Sequence, residues 1–234
     1  MIFSSPQKLN KIKNQYKNSL LLNDNHIERV EKFKFLGVVI KEDLKWNEQV
    51  NAVVKKLNKS VAILSRLKHF LPSGILLGLY NTLFLPHIIY CIGVWGLTED
   101  YNKNRISILQ KRAIRCVDHA SYCDHTKPIF DKYHILTFMQ LLELNIGTFM
   151  FKYNNNLLPS PFNNYFSLSN VHGHNTRTAS NVRIESHNTA RYSKTTKITA
   201  PKIWNKLPLE IKNAKSLQSF KKNYKKLLHS ESHC

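Results

Sequence analysis

From Trp46 onward, apolar residues return at three- and four-residue steps: Val50, Val53, Val54, Leu57, Val61, Leu64 and Leu71. That spacing predicts a long amphipathic helix with a single buried stripe. Ahead of it, Phe33-Lys34-Phe35-Leu36-Gly37-Val38-Val39-Ile40 reads as one strand and Lys41-Glu42-Asp43-Leu44-Lys45 as a charged turn. Earlier still, Ser19-Leu20-Leu21-Leu22 and His26-Ile27-Glu28-Arg29-Val30 flank Asn23-Asp24-Asn25, where Asn and Asp tolerate positive φ, so a hairpin is predicted. With residues 33–40 it would form a small antiparallel sheet. Met1-Ile2-Phe3-Ser4 reads as a further piece of strand, and residues 6–17 as a polar, lysine-rich loop.

Leu71-Pro72-Ser73-Gly74 closes the long helix, because Pro72 disfavours a helical residue before it and Ser73 can cap the next. Residues 75–95 then run nearly without charge. A membrane span needs about 20 such residues, but Asn81, Thr82, Pro86 and His87 lie at the centre and basic residues stand on both flanks. A buried central helix kinked at Pro86 accounts for the same composition. Residues 102–117 form the next predicted helix, with Ile106, Leu109, Ala113, Ile114 and Val117 inward. A short helix begun by Pro128 follows, and then residues 137–153, too evenly apolar for one narrow stripe and therefore packed between two neighbours. Residues 158–180 are irregular and form the expected linker. Beyond it, Val182-Arg183-Ile184 and Arg191-Tyr192-Ser193 suggest a hairpin, and Leu217, Phe220, Tyr224, Leu227 and Leu228 a last amphipathic helix. The fold class is thus α+β and mainly α: a small amino-terminal sheet (1–45), a helical bundle (46–157), the linker (158–180) and a small basic carboxy-terminal module with a hairpin and short helices (181–234).

Charge changes the picture most. The 234 residues carry 35 Lys and Arg against 15 Asp and Glu, a formal +20, which favours a polyanionic partner. From Asn175 onward stand 13 of the cations and 3 of the acids, half of the excess in about a quarter of the chain. In the long helix Lys55, Lys56, Lys59, Arg66 and Lys68 fall largely off the apolar stripe. Lys111, Arg112 and Arg115, with Gln110, place several donors within two turns of the next long helix, and Lys221, Lys222, Lys225 and Lys226 line the last one. Such rows suit a phosphate backbone, whose neutralisation releases condensed counterions; they would equally suit a solvated face. Trp204 and Tyr192 could stack on bases, although a Trp beside Ile203 and Pro208 fits a small-core anchor better.

Candidate chemistry is sparse. Two-metal polymerase catalysis needs paired carboxylates, and no Asp-Asp pair occurs; Glu42-Asp43 and Glu99-Asp100 read as turn and helix-start acids. No glycine-rich phosphate loop or nucleophile elbow is present. Cys116, Cys123 and His125 lack the paired clips that hold zinc tetrahedrally, so no metal and no cofactor is expected. The chain opens without a secretory signal peptide, which points to a reducing nuclear or cytoplasmic setting rather than secretion.

Several short motifs carry a resemblance: Lys34-Phe35-Leu36-Gly37-Val38, Leu44-Lys45-Trp46, Leu79-Tyr80 with Pro86, Tyr90 and Trp95-Gly96, Gln110-Lys111-Arg112-Ala113-Ile114-Arg115, and in the tail His174-Asn175-Thr176-Arg177 and Ala200-Pro201-Lys202-Ile203-Trp204. In order and spacing the chain resembles the carboxy-terminal part of reverse transcriptases from non-LTR, LINE-type and jockey-like retrotransposons. The resemblance implies that Phe35, Leu36 and Gly37 belong to a primer-grip-like strand closing the palm. The helices after it would form a thumb beside a template-primer duplex, and the catalytic aspartates would lie upstream of Met1. The expected partners are RNA or an RNA–DNA duplex and, beyond these, a full-length reverse transcriptase; a membrane is not expected. On its own the chain should not polymerise. The competing expectation is a structural or membrane-associated protein using residues 75–95.

Overall fold

A computed structural model describes residues 1–15, 20–167 and 181–230. The long helix forms as its stripe requires: α2 spans Asn47–Leu67 and buries Val50, Val53, Leu57 and Leu64 together with Gln49 and Ser60. Each of those aliphatic side chains contributes about 1.5–3 kcal/mol by leaving water. The two polar residues on the stripe are satisfied. The Gln49 Oε1 accepts from the Val39 amide at 2.9 Å, and the Ser60 hydroxyl donates to the Leu83 carbonyl at 2.8 Å.

Ahead of α2, the expected hairpin is present as β1 (Leu20–Leu22) and β2 (Asn25–Ile27), turning at Asn23 and Asp24 with φ of 48° and 62°. Four expectations in this region are corrected. Residues 33–40 are not one strand but a second hairpin, β3 (Lys32–Phe35) and β4 (Val38–Lys41), with Phe35 opposite Val38. Leu36 at φ 45° and Gly37 at φ 81° make its two-residue turn, the mirror-image geometry that matches strand twist and for which glycine carries no Cβ penalty. The two hairpins form separate two-stranded sheets rather than one. Residues 6–15 are helical, α1 (Pro6–Gln15), started by the Ser5-Pro6 pair and anchored by the buried Leu9. Met1–Ser4 makes no strand among the described residues; the Ser4 amide donates to the Glu42 carbonyl.

The apolar stretch is likewise different from a buried helix kinked at Pro86. It runs as α3 (Ser73–Leu79), a π-helical turn (Tyr80–Phe84), α4 (Leu85–Ile89), a left-handed break at Cys91, and α5 (Ile92–Trp95). Pro86 donates no amide and its ring crowds the carbonyl four residues back, which widens the preceding turn. Burial then recurs every fourth residue, at Leu76, Tyr80, Phe84, Ile88 and Ile92, while Ile75, Ile89, Tyr90 and Val94 stay exposed. No helix among the described residues is long and apolar enough to cross a membrane.

The remaining helices are α6 (Asp100–Val117), α7 (Lys127–Lys132), α8 (Phe138–Asn154), α9 (Ala190–Ser193), α10 (Thr196–Lys206), α11 (Leu209–Lys212) and α12 (Leu217–Ser230). As expected, α8 lies between neighbours: α5 and α6 on one side, α10 and α12 on the other. Thr137 and Gln140 close its start with a reciprocal capping box. Gly147 lets α12 approach so closely that a Cβ there would sit 2.4 Å from the Tyr224 ring. Phe151 stacks on Phe220 and Trp95 on Phe138, so Trp204, Phe220 and Tyr224 belong to the same continuous core as α2 and α6. The expected hairpin after the linker is absent: residues 190–193 are the helix α9, capped by the Thr189 hydroxyl, and Val182 is pinned through both backbone groups by Asn205. The chain is mainly helical α+β with small antiparallel sheets.

Candidate nucleic-acid interface

Two helices carry most of the candidate cations. α2 and α6 run side by side in the same direction: Asn102 donates to Asn47 at 2.7 Å, Arg105 to Asn51 at 2.9 Å, and Ser65 near the end of α2 meets Cys116 near the end of α6. Their apolar stripes face each other and the core, which leaves their outer faces adjoining. Lys55, Lys59 and Arg66 project from one angular sector of α2, because steps of four and eleven residues nearly complete whole turns. All three are exposed. Lys55 and Arg66 are about 16 Å apart along the axis at 1.5 Å per residue, close to five nucleotide steps at about 3.4 Å. Lys56 lies on the flank toward His87, whose titration is pushed below its ordinary value by desolvation and by the Lys56 charge. Lys68, half-buried past the end of α2, sits near the Cys116 thiol, which burial pushes up and Lys68 draws down.

On α6, Lys111 and Arg112 are exposed and Arg115 is half-buried. Gln110, grouped with them as a donor in the sequence, instead points into the core at 1% exposure. Its Nε2 donates to the Tyr80 hydroxyl and the Leu136 carbonyl, both at 2.9 Å, and its Oε1 accepts from the Phe138 amide at 2.7 Å. The same burial pushes the Tyr80 phenol up to about 12, against the opposing Gln110 hydrogen bond. Lys221, Lys222, Lys225 and Lys226 are all exposed on α12. Its end reaches the α6 surface through a cleft of about 290 Å³ lined by Lys111, Lys127, Asp131 and His229. Lys55, Lys59 and Arg66 of α2 and Lys111 and Arg112 of α6 therefore make up a band on two neighbouring helices, with Lys56 and Lys68 outside it and the α12 lysines on a helix whose end meets α6 at that cleft.

Among the described residues the band has no internal neutralisation, a state it shares with many other cations of a chain that carries 35 Lys and Arg against 15 Asp and Glu. Among the described residues the carboxylate partners go elsewhere: Arg29 with Glu42, Lys32 with Glu48, Lys41 with Asp43, Lys103 with Asp100, Lys132 with Asp118, Lys194 with Glu99 and Lys197 with Glu185. No candidate cation on α2, α6 or α12 is in that set. Arg115 makes one hydrogen bond, from Nε to the Asp124 carbonyl at 2.9 Å.

Phe35, Leu36 and Gly37 sit apart from the band at the tip of the second hairpin. The Tyr90 hydroxyl donates to the Leu36 carbonyl at 2.6 Å and its ring lies under Gly37. Phe35 and Leu36 are 58% and 75% exposed. Sequence reasoning passed over Lys32 and Lys34, which line a cleft of about 330 Å³ with Lys55. Arg105, which the sequence places on the polar side of α6 but which was left out of the candidate set, has its guanidinium 5.5 Å from the centre of the Tyr101 ring. The Tyr101–Arg105 spacing of four on a helix was the legible signal. Trp204 is a core anchor, 4% exposed and stacked near Phe220, and Tyr192 donates its hydroxyl to Glu185 at 2.9 Å. No three His, Cys, Asp or Glu side chains come together to hold a metal among the described residues. The His174-Asn175-Thr176-Arg177 motif lies outside those residues.

No family model and no solved structure matches the chain. A stretch of 111 residues is 24% identical to the RNA-directed DNA polymerase from mobile element jockey of Drosophila melanogaster, covering 46% of this chain and 12% of that polymerase. The chain spans only a small part of the relative's length. Nearly half of this protein is thus related to the reverse transcriptase of a non-LTR retrotransposon.

Proposed function

We propose that the chain binds a nucleic-acid duplex, RNA or RNA–DNA, across the adjoining faces of α2 and α6, as the thumb-like part of a reverse-transcriptase-related protein. The supporting observation is the band of cations without carboxylate partners among the described residues, Lys55, Lys59 and Arg66 beside Lys111 and Arg112. Leaving such charges unpaired on neighbouring helices costs self-repulsion, which phosphates relieve. The proposal extends to catalysis. With no Asp-Asp pair in its sequence, this chain holds the duplex and does not itself extend a primer.

Fluorescence anisotropy with a labelled blunt RNA–DNA duplex, repeated over a range of salt concentrations, tests it. Log affinity should fall linearly with log salt, and Lys55→Ala with Lys59→Ala and Arg66→Ala should flatten the slope by roughly 0.9 per phosphate contact removed. Absence of binding at low salt, or binding without salt dependence, refutes the proposal. Nucleotide incorporation by the chain alone refutes its catalytic half.

A further inference from the structure

Between α6 and α7 the chain holds an aromatic ring out in water. Tyr122 is 73% exposed, yet its surroundings are fixed. The Arg115 Nε donates to the Asp124 carbonyl at 2.9 Å, the Ser121 amide donates to the Asp124 carboxylate at 2.6 Å, and the Ala120 amide donates back to the Arg115 carbonyl at 2.9 Å. On the far side, Lys132 and the Tyr133 hydroxyl both hold Asp118. Two guanidiniums, Arg112 and Arg115, approach the Tyr122 ring at 5.9 and 6.0 Å from its centroid. Both come from α6, one turn apart, so the rest of the ring stays open.

We infer that Tyr122, flanked by Arg112 and Arg115, is a stacking station for one unpaired nucleobase, which makes a duplex with a single-stranded extension a better ligand than a blunt one. The inference rests on the nucleic-acid binding proposed above and specifies the form of ligand. A phenol ring offers a π-face that every base can use, and the two guanidiniums offer charge to the phosphates on either side of that base. A buried aromatic would have no such use, and a loosely held one would lose the gain to ordering. Tyr122 is neither. It also stands at the edge of the α6 cations, where a strand leaving the duplex would pass.

The test compares a blunt RNA–DNA duplex, the same duplex with a short single-stranded extension, and the free single strand, each by anisotropy at fixed salt. The extension should tighten binding about five- to tenfold, the lower range for one base–aromatic stack. Tyr122→Ala should abolish that advantage with blunt-duplex affinity unchanged, and Tyr122→Trp should keep it. If the blunt duplex binds but the extension brings no advantage, or Tyr122→Ala retains the advantage, the inference is overturned while duplex binding stands. If the blunt duplex fails to bind and the single strand binds in a Tyr122-dependent way, the stacking station stands and the duplex proposal falls. Failure of all three ligands overturns both.

Discussion

Replacing Gln110 by leucine removes a side chain that ties α6, the π-helical turn and the start of α8 together. The change keeps nearly the same volume but orphans three partners: the Tyr80 hydroxyl, the Leu136 carbonyl and the Phe138 amide. Those residues are 0%, 5% and 0% exposed, so water cannot take over without opening the core. An unsatisfied buried polar group costs about 1–3 kcal/mol, and the added apolar side chain returns roughly 1 kcal/mol. With three groups orphaned the expected loss is therefore about 2–8 kcal/mol, against a total stability of about 5–15 kcal/mol for a domain. Urea denaturation followed by tryptophan fluorescence should show the midpoint falling by about 0.8 M or more at unchanged slope, for a slope near 2.5 kcal/mol per M. A midpoint within about 0.3 M of the parent would refute the claim that this amide organises the back of the cationic face.

Other outcomes are specific to single sites. Gly147→Ala should destabilise the chain by about 1–2 kcal/mol in the same assay: overpacking against Tyr224 costs about 1–3 kcal/mol, and better helix propensity offsets up to about 1 kcal/mol. A stabilised variant would mean that α12 does not cross α8 so closely. His229 is held below its ordinary 6.5, first by desolvation and then by His134, and His87 is held below it by desolvation and Lys56. As pH falls through 6.5 the unfolded chain takes up protons before the folded one, so the stability these residues give at neutral pH is lost toward pH 5. The melting temperature should fall over that window, and the double variant His87→Gln, His229→Gln should fall less.

How much was legible depends on what kind of signal each element leaves. α2, α6 and α12 were readable because each places its apolar residues on a 3.6-residue period against polar neighbours. Residues 75–95 were not, because a uniformly apolar run has no period to read, and the four-residue step appears only once Pro86 has widened the turn before it. The second hairpin hides inside an aromatic and aliphatic run whose sole mark of a turn is Gly37. Gln110 was misread by its company: it stands beside Lys111 and Arg112, yet its spacing from Ile106, Ala113, Ile114 and Val117 is that of the buried stripe. The candidate cations were all visible in sequence. Which of them share a surface was not, since the parallel pairing of α2 with α6 joins residues more than fifty positions apart, such as Asn102 with Asn47. Tyr122 left no periodic signal at all; only its contact with two arginines singles it out.

Salt should act on this protein in two opposite ways. Seven of the acids are engaged with cations outside the candidate band, and an exposed pair such as Lys32–Glu48 is worth about 0–1 kcal/mol before screening. Screening weakens that attraction a little. It also relieves the repulsion among Lys55, Lys59, Arg66, Lys111, Arg112 and the α12 lysines, none of which takes part in the ion pairs found among the described residues. With a formal charge of +20, repulsion is the larger of the two effects in the free chain. At low ionic strength the Debye length is about 30 Å at 0.01 M and falls to about 8 Å at 0.15 M, so the span of the cationic faces passes from mutually repelling to largely screened. The free chain's melting temperature should therefore rise with salt over the same range in which its affinity for duplex falls. A short duplex added at low salt should raise the melting temperature as salt does, by supplying the missing counter-charge directly. If added salt lowers the melting temperature instead, the ion pairs dominate the electrostatics of the fold, and the cationic band is not held against its own repulsion in the way the duplex proposal requires.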